Sequence, residues 1–186
     1  MSRLSVIDTP LGGLKEIVRK SLGDARGSLS RLFCEAELHA AGWREPIAQI
    51  NHTMTMKTGT VRGLHYQNAP HAEMKLVSCL HGEVWDVAVD LRPGSATFLN
   101  WYGALLSVDN GRALLIPEGF AHGFQALSDR VELLYCHSSP YVPESEAGLD
   151  ALDERLAIVW PLPVAFRSER DIGLPAVNMH FREARA

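Results

Sequence analysis

The sequence predicts an all-β fold, two sheets wrapped around an interior as a sandwich or barrel. Turn signals recur at short intervals: residues 11–13, Gly23-Asp24, Gly59, Asn68-Ala69-Pro70, His81-Gly82, Pro93-Gly94, Asp109-Asn110-Gly111, Pro117-Glu118-Gly119 and Ser139-Pro140. Between them lie short segments rich in Val, Ile, Leu, Thr and Trp, which is the rhythm of strands and tight connections. Length supplies the third observation. With 186 residues, 46% hydrophobic and 22% charged, one domain over residues 1–186 is expected, large enough to bury a core. No repeat or low-complexity run divides it.

Taken in order, the turn signals delimit strands at 14–20, 28–33, 48–55, 60–64, 74–80, 83–91, 96–106, 112–116, 123–127 and 132–138. About ten strands suffice to wrap two sheets around an interior. The clearest pair, 74–80 and 83–91, is separated by His81-Gly82, a good two-residue turn, so these strands are expected to pair antiparallel. One helix is expected over 35–41, where Glu35 and Glu37 favour the positive end of the helix and Gly42 stops it. A further helical turn is expected within 144–158.

Composition excludes several classes. Eighteen Lys and Arg against twenty-two Asp and Glu give a net charge of −4, without the basic footprint of a general nucleic-acid binder. Charges interrupt every apolar run well short of the ~20 residues that a membrane helix needs. Asp8, Lys15, Glu16 and Arg19 break up the first twenty residues, so no signal peptide and no membrane partner is expected, and the location is expected to be cytoplasmic. Cys34, Cys79 and Cys136 are odd in number and far apart, and are expected to be three buried thiols rather than disulfides or zinc ligands.

Chemistry-bearing residues gather in the middle of the chain. Strand alternation puts Lys75 on the same face as Val77 and Cys79, a costly place for an ammonium unless the interior holds an anion or carbonyl. Arg62, His65 and His122 lie in or beside neighbouring strands. The alternative is a Lys75 on the outer face and a His65 satisfied within the core. The spacing Gly111-x5-Pro117-x-Gly119-x2-His122 is similar throughout to the second signature of the cupin superfamily. Gly59-x5-His65 resembles the start of the first signature, but Gln67 then stands where a metal cupin has histidine. The resemblance implies a cupin-type double-stranded β-helix, a jelly-roll barrel, with a few short helices. With the metal triad broken no metal is expected, and the alternative site would use His65, Glu73 and His122.

Longer motifs carry a second resemblance. The segments at 61–67 (VRGLHYQ), 74–77 (MKLV), 82–92 (GEVWDVAVDLR) and 116–124 (IPEGFAHGF) resemble the dTDP-4-dehydrorhamnose 3,5-epimerase family. So do those at 24–27 (DARG), Gln49 to Asn51, Leu134-Tyr135 and 168–171 (SERD), so that the match runs from about residue 14 to residue 177. The resemblance implies cofactor-free epimerisation of a nucleotide-linked 4-keto sugar. Carbons flanking the ketone are inverted by taking a proton and returning one to the opposite face.

By that resemblance His65 is the base and Asp171 the carboxylate that orients it. Tyr135 is the acid, and Lys75 with His122 stabilises the enolate. Arg26, Arg62 and Arg170 would neutralise the diphosphate, Tyr141 would stack on the base, and Gln49, Asn51 and Glu146 would line the nucleotide region. The alternative for Arg26 and Arg170 is ordinary surface charge, and for Tyr141 a rim aromatic. Arg92, after the strand-end Asp90, reads as structural. The resemblance further implies a homodimer in which an N-terminal strand crosses over and lends Arg26 to the neighbouring pocket. Three positions depart from the family pattern: Arg31 replaces a glutamate, Ile50 an aspartate and Glu73 a glutamine. They bear on nucleotide and sugar selectivity, and leave open a mono-epimerase or ketoisomerase acting on another nucleotide-linked 4-keto sugar.

Overall fold

In the computed structural model, which describes residues 2–177, thirteen strands and two short helices follow one another along the chain. A six-stranded antiparallel sheet contains β1 (Leu4–Asp8), β2 (Lys15–Arg19), β10 (Arg112–Ile116), β7 (Lys75–His81), β12 (Val131–His137) and β5 (Gln49–Thr55), in that order. The facing five-stranded sheet is β13 (Glu146–Gly148), β6 (Val61–Gln67), β11 (Phe120–Ala126), β8 (Glu83–Asp90) and β9 (Trp101–Ser107). A small hairpin, β3 (Leu22–Asp24) with β4 (Gly27–Leu29), stands apart from both. The expected all-β, cupin-type architecture is the one found.

Alternation along the strands builds three apolar layers. Val77, Cys79, Val84, Ala88, Phe124 and Leu133 fill the space between the sheets. The outer face of the six-stranded sheet buries Leu76, Ala113 and Leu115 against Leu38 and Trp43. The outer face of the five-stranded sheet buries Val61, Val87, Val89 and Ala121 under Leu149, Ala151 and Leu156. The central strands β7, β8, β10, β11 and β12 each contribute to two layers, which is why their inward positions are specified so strictly.

The structure corrects several expectations. Strands β7 and β8 do not pair with each other: β7 lies between β10 and β12, and β8 between β11 and β9. His81-Gly82 is a corner that passes the chain from one sheet to the other, with Gly82 at φ +72°. The strand expected at 96–106 starts only at Trp101. Asp90 draws the preceding segment into a turn by accepting hydrogen bonds from Ser95 Oγ at 2.6 Å and Thr97 Oγ1 at 2.7 Å. Its ion pair with Arg92, 2.7 Å, makes Arg92 structural as expected.

The strand expected at 28–33 shrinks to β4, because Phe33 leaves the hairpin to pack edge-on against Trp43. The expected helix is α1 (Glu35–His39), and Gly42 at φ +113° follows its end. The helical turn expected within 144–158 is a 3-10 turn at Pro143–Ser145, and the residues after it form β13. Strand β1 and helix α2 (Glu169–Ile172) were not anticipated. Of the three thiols, Cys79 and Cys136 are buried but Cys34 is only half-buried, since it sits at the start of α1 rather than in a strand.

Strands β6 and β11 approach unusually closely where Gly63 meets Gly123, at a register shift that leaves His65 opposite His122. A Cβ on Gly63, which has φ +113°, would lie 2.7 Å from both the Gly123 Cα and the His122 carbonyl oxygen. Backbone strain and overpacking together give an expected loss of about 2–5 kcal/mol for Gly63→Ala, read from the urea midpoint. Gly12→Ala, where a Cβ meets nothing within 4 Å, is the control and changes stability by less than about 0.5 kcal/mol.

Candidate active site

One end of the barrel interior is polar. A cavity of about 330 Å³ opens there between the sheets, lined by His65, Lys75, His122, Tyr135, Arg62 and Gln49 among others. Its two walls carry different chemistry. His65 and His122 come from β6 and β11 of the five-stranded sheet, whereas Lys75 and Tyr135 come from β7 and β12 of the six-stranded sheet. Lys75 does share the inward face with Val77 and Cys79, as alternation predicts, and it is buried.

His65 Nε2 lies 2.8 Å from Asp171 Oδ1. An ionised carboxylate only accepts, so Nε2 carries the proton toward it and Nδ1 is the ring's basic nitrogen. Asp171 is delivered by the short α2, which Ser168 caps, and its other oxygen accepts the Gly63 N–H at 3.3 Å. Burial opposes its charge. The hydrogen bond and charge of His65 and the Gly63 N–H nevertheless hold its carboxyl below the ordinary value.

His122 has a carboxylate partner too. Its Nε2 lies 2.8 Å from Oδ1 of Asp86, a fully buried side chain on β8. The ring of His122 meets that of Tyr135 edge-on, with centroids 5.8 Å apart. Tyr135 is pushed well above the ordinary phenol value by burial and then by the Asp86 charge, so it is a protonated donor at neutral pH. Lys75 Nζ donates to the His65 carbonyl at 3.3 Å and pairs with Glu73 at 3.1 Å.

The rim gathers the other expected residues into a chain of contacts. Gln49 donates to Asn51 at 3.0 Å and accepts the Tyr141 N–H at 3.0 Å. The Tyr141 hydroxyl donates to Glu146 at 2.8 Å, and Glu146 pairs with Arg170. Arg62 donates to the Met54 carbonyl at 3.1 Å while lining the cavity. Arg62, His65 and Arg170 also border a second depression of about 530 Å³ on the Met54 side. Arg26 is the exception: it is 87% exposed at its side chain, pairs with Asp24 in the β3–β4 hairpin and lines neither space.

The alternative metal set does not assemble. Among the described residues no three His, Cys, Asp or Glu side chains are grouped to hold a metal ion. His65 and His122 each face their own carboxylate, and Glu73 is taken by Lys75 and His137. Gln67, at the vacant ligand position, spends its amide on the loop, donating to the His71 and Pro140 carbonyls and accepting the Val142 N–H. Sequence reasoning missed Asp86 and His137. Both were within reach of the alternation that found Lys75: Asp86 shares its face with Val84 and Ala88, and His137 lies two residues beyond Tyr135.

A jelly-roll barrel with a histidine–carboxylate pair on one sheet and a protonated phenol and an ammonium on the other is built as an acid–base enzyme of the cupin type. A family model described as dTDP-4-dehydrorhamnose 3,5-epimerase matches residues 8–178. The dTDP-4-dehydrorhamnose 3,5-epimerase of Escherichia coli strain K12 is 43% identical over 159 residues, covering 85% of each chain. The structure of a dTDP-6-deoxy-D-glucose-3,5-epimerase from Legionella pneumophila Philadelphia 1, in complex with dTDP-4-keto-L-rhamnose, superimposes with a TM-score of 0.90 at 40% identity, covering 96% of this chain and 95% of that one. A dTDP-4-dehydrorhamnose 3-epimerase from Streptomyces niveus is 39% identical, over 87% of this chain and 79% of its own. The chain belongs to the dTDP-4-dehydrorhamnose 3,5-epimerase family and is an isomerase of the epimerase class.

The depressed Asp171 carboxyl makes stability depend on pH. A carboxyl lowered in the folded state contributes stability that is present above its unfolded value, about 3.9, and is lost as pH falls through the folded value. Between about pH 5 and pH 3 the wild type is therefore expected to lose more stability than Asp171→Asn, measured by urea unfolding at each pH. Equal losses would remove the carboxylate's assigned environment.

Proposed function

We propose that the protein converts dTDP-4-dehydro-6-deoxy-D-glucose to dTDP-4-dehydro-L-rhamnose by inverting C3 and C5, the carbons on either side of the C4 ketone. The observation that carries this reading is the placement of His65, paired with Asp171 of α2, and Tyr135 on opposite sheets across one cavity. Inversion needs a base on one face of the sugar and an acid on the other. His65 Nδ1 takes the proton from the carbon beside the ketone, and Asp171 supports the imidazolium that results. The electron pair moves onto the C4 oxygen, which Lys75 and His122 stabilise as an enolate. Tyr135 then delivers a proton to the opposite face of the carbon. No redox step occurs, and the atoms balance as one proton removed and one returned at each centre.

Nucleotide binding belongs to the rim. Arg62 and Arg170 neutralise the diphosphate, Tyr141 stacks on the base, and Gln49, Asn51 and Glu146 shape the edge of the site. Arg26 enters this scheme from a second copy of the chain, forming a homodimer in which each pocket is completed by its neighbour. Its exposed position on a hairpin that stands apart from both sheets supports that arrangement. Among the described residues no helix is long and apolar enough to cross a membrane. A cytoplasmic location belongs to the same proposal, supported by three unpaired, well separated thiols.

The 39% identity to a 3-epimerase favours one second reading, inversion at C3 alone. Turnover in D2O, followed by NMR, separates the two. Deuterium at both C3 and C5 is expected; label at C3 only establishes the mono-epimerase, and label at neither overturns the proposal. His65→Ala is expected to abolish exchange, with kcat reduced by about 10³-fold or more. Tyr135→Phe is expected to retain exchange at the first centre while blocking completed inversion. Gel filtration is expected to show twice the 20.5 kDa chain mass, and a monomer mass would contradict the shared site.

A further inference from the structure

At the wall formed by β7 and β12, the proposed reaction uses Lys75 but leaves two groups beside it unused, Glu73 and His137. Lys75 and His137 are opposite each other in the strand register, so their side chains are neighbours on the inner face. Glu73, just before β7, bridges them: Oε1 lies 3.1 Å from Lys75 Nζ and Oε2 lies 2.7 Å from His137 Nδ1. All three side chains are about nine-tenths buried, with 8%, 9% and 11% exposure for Lys75, Glu73 and His137. Charges there are poorly screened.

The Lys75 ammonium has three protons. One engages Glu73 and a second the His65 carbonyl, which leaves one for a ligand in the cavity. A carboxylate this near cancels much of the ammonium's attraction for any other developing anion. With His137 neutral, the three groups sum to zero charge; with His137 protonated, they sum to one positive charge.

We propose that Glu73, Lys75 and His137 act as one charge-setting unit, in which a proton on His137 decides how much positive charge this wall presents to the enolate oxygen. The inference rests on the assignment of Lys75 to that oxygen. Glu73 and His137 act through Lys75 and are positioning residues. On its own strand His137 stacks against Tyr135, with ring centroids 6.0 Å apart and planes 18° apart. From β5, the neutral Asn51 amide nitrogen lies 3.5 Å from its Nε2. Arg62 and His65 face it from β6 and His122 from β11, with Tyr141, Glu146 and Arg170 at the rim. Among the described residues Glu73 is the carboxylate in direct contact with it. Burial opposes the charge of Glu73, but the His137 hydrogen bond and the Lys75 charge hold its carboxyl below the ordinary range, so the bridge is anionic at neutral pH.

The test compares full-length wild type, His137→Gln, Glu73→Gln, the double variant and Lys75→Met, using the dTDP-4-keto-6-deoxyglucose substrate between about pH 5.5 and 9.5. Thermal unfolding and dTDP binding check each fold. In His137→Gln, Glu73 is left to neutralise Lys75, and kcat is expected to fall about tenfold or more while KM changes less than about threefold. Adding Glu73→Gln is expected to restore most of that loss, a rescue that a merely structural pair would not show. The alkaline limb of the wild-type kcat profile is expected to move up by about one pH unit or more in the double variant and in Glu73→Gln. A double variant as slow as His137→Gln, or an alkaline limb common to all, overturns the proposal. Lys75→Met separates the two readings: if it keeps wild-type kcat, the assignment of Lys75 itself is overturned. If it is slow and the rescue is absent, that assignment stands and the charge-setting unit falls.

Discussion

A buried charge persists only beside a partner, and the polar end of this barrel is organised around that rule. His65 has Asp171, His122 has Asp86, and Lys75 shares Glu73 with His137. Each pair joins groups from different segments: β6 to α2, β11 to β8, and β7 to β12 through the residue that precedes β7. Carboxylate pairs of this kind tie separate segments together at the polar end, as apolar contacts do in the rest of the interior. Removing one partner would leave the other uncompensated in a poorly hydrated space.

The two-sheet architecture turns these pairs into a site with two faces. His65 and His122 project from the five-stranded sheet, while Tyr135, Lys75 and His137 project from the six-stranded one. In the proposed reaction a planar intermediate between them would meet His65 on one side and Tyr135 on the other, which is the geometric requirement for inversion at carbon. The close approach of Gly63 and Gly123 serves the same end, because it lets β6 and β11 lie near enough for His65 and His122 to be cross-strand neighbours. At the mouth, the contacts among Gln49, Tyr141, Glu146 and Arg170 tie loops to the sheet edges. In the proposed scheme, substrate recognition would rest on a frame that is already hydrogen-bonded.

Much of the site could be read from short, ordered motifs. Alternation along its strand declared the inward face of Lys75, the cupin-like spacings marked His65 and His122, and Tyr135 and the rim residues came only from the family resemblance. Asp86 and His137 obeyed the same alternation, yet neither stood out, since their meaning depends on what each touches across the barrel. Glu73 was read as a spare metal ligand because sequence proximity shows a carboxylate but not its contacts; in the fold both of its oxygens are already taken. The hairpin expected at His81-Gly82 failed for a related reason. A two-residue turn specifies that the chain reverses, whereas the sheet each strand joins is decided by distant partners, β10 and β12 for one and β11 and β9 for the other.

By itself the amino-acid sequence determined the all-β class, most strand positions, the inward placement of a lysine and the family, because these depend on local periodicity and on residues close together along the chain. The tertiary structure alone decided which charges are paired, which sheet carries each imidazole, phenol and ammonium, and that Glu73 bridges Lys75 and His137. Those features arise from contacts between residues as far apart as 65 and 171 or 73 and 137. The free energy of a buried charge is set by its neighbours in space, and adjacency in sequence carries no record of them.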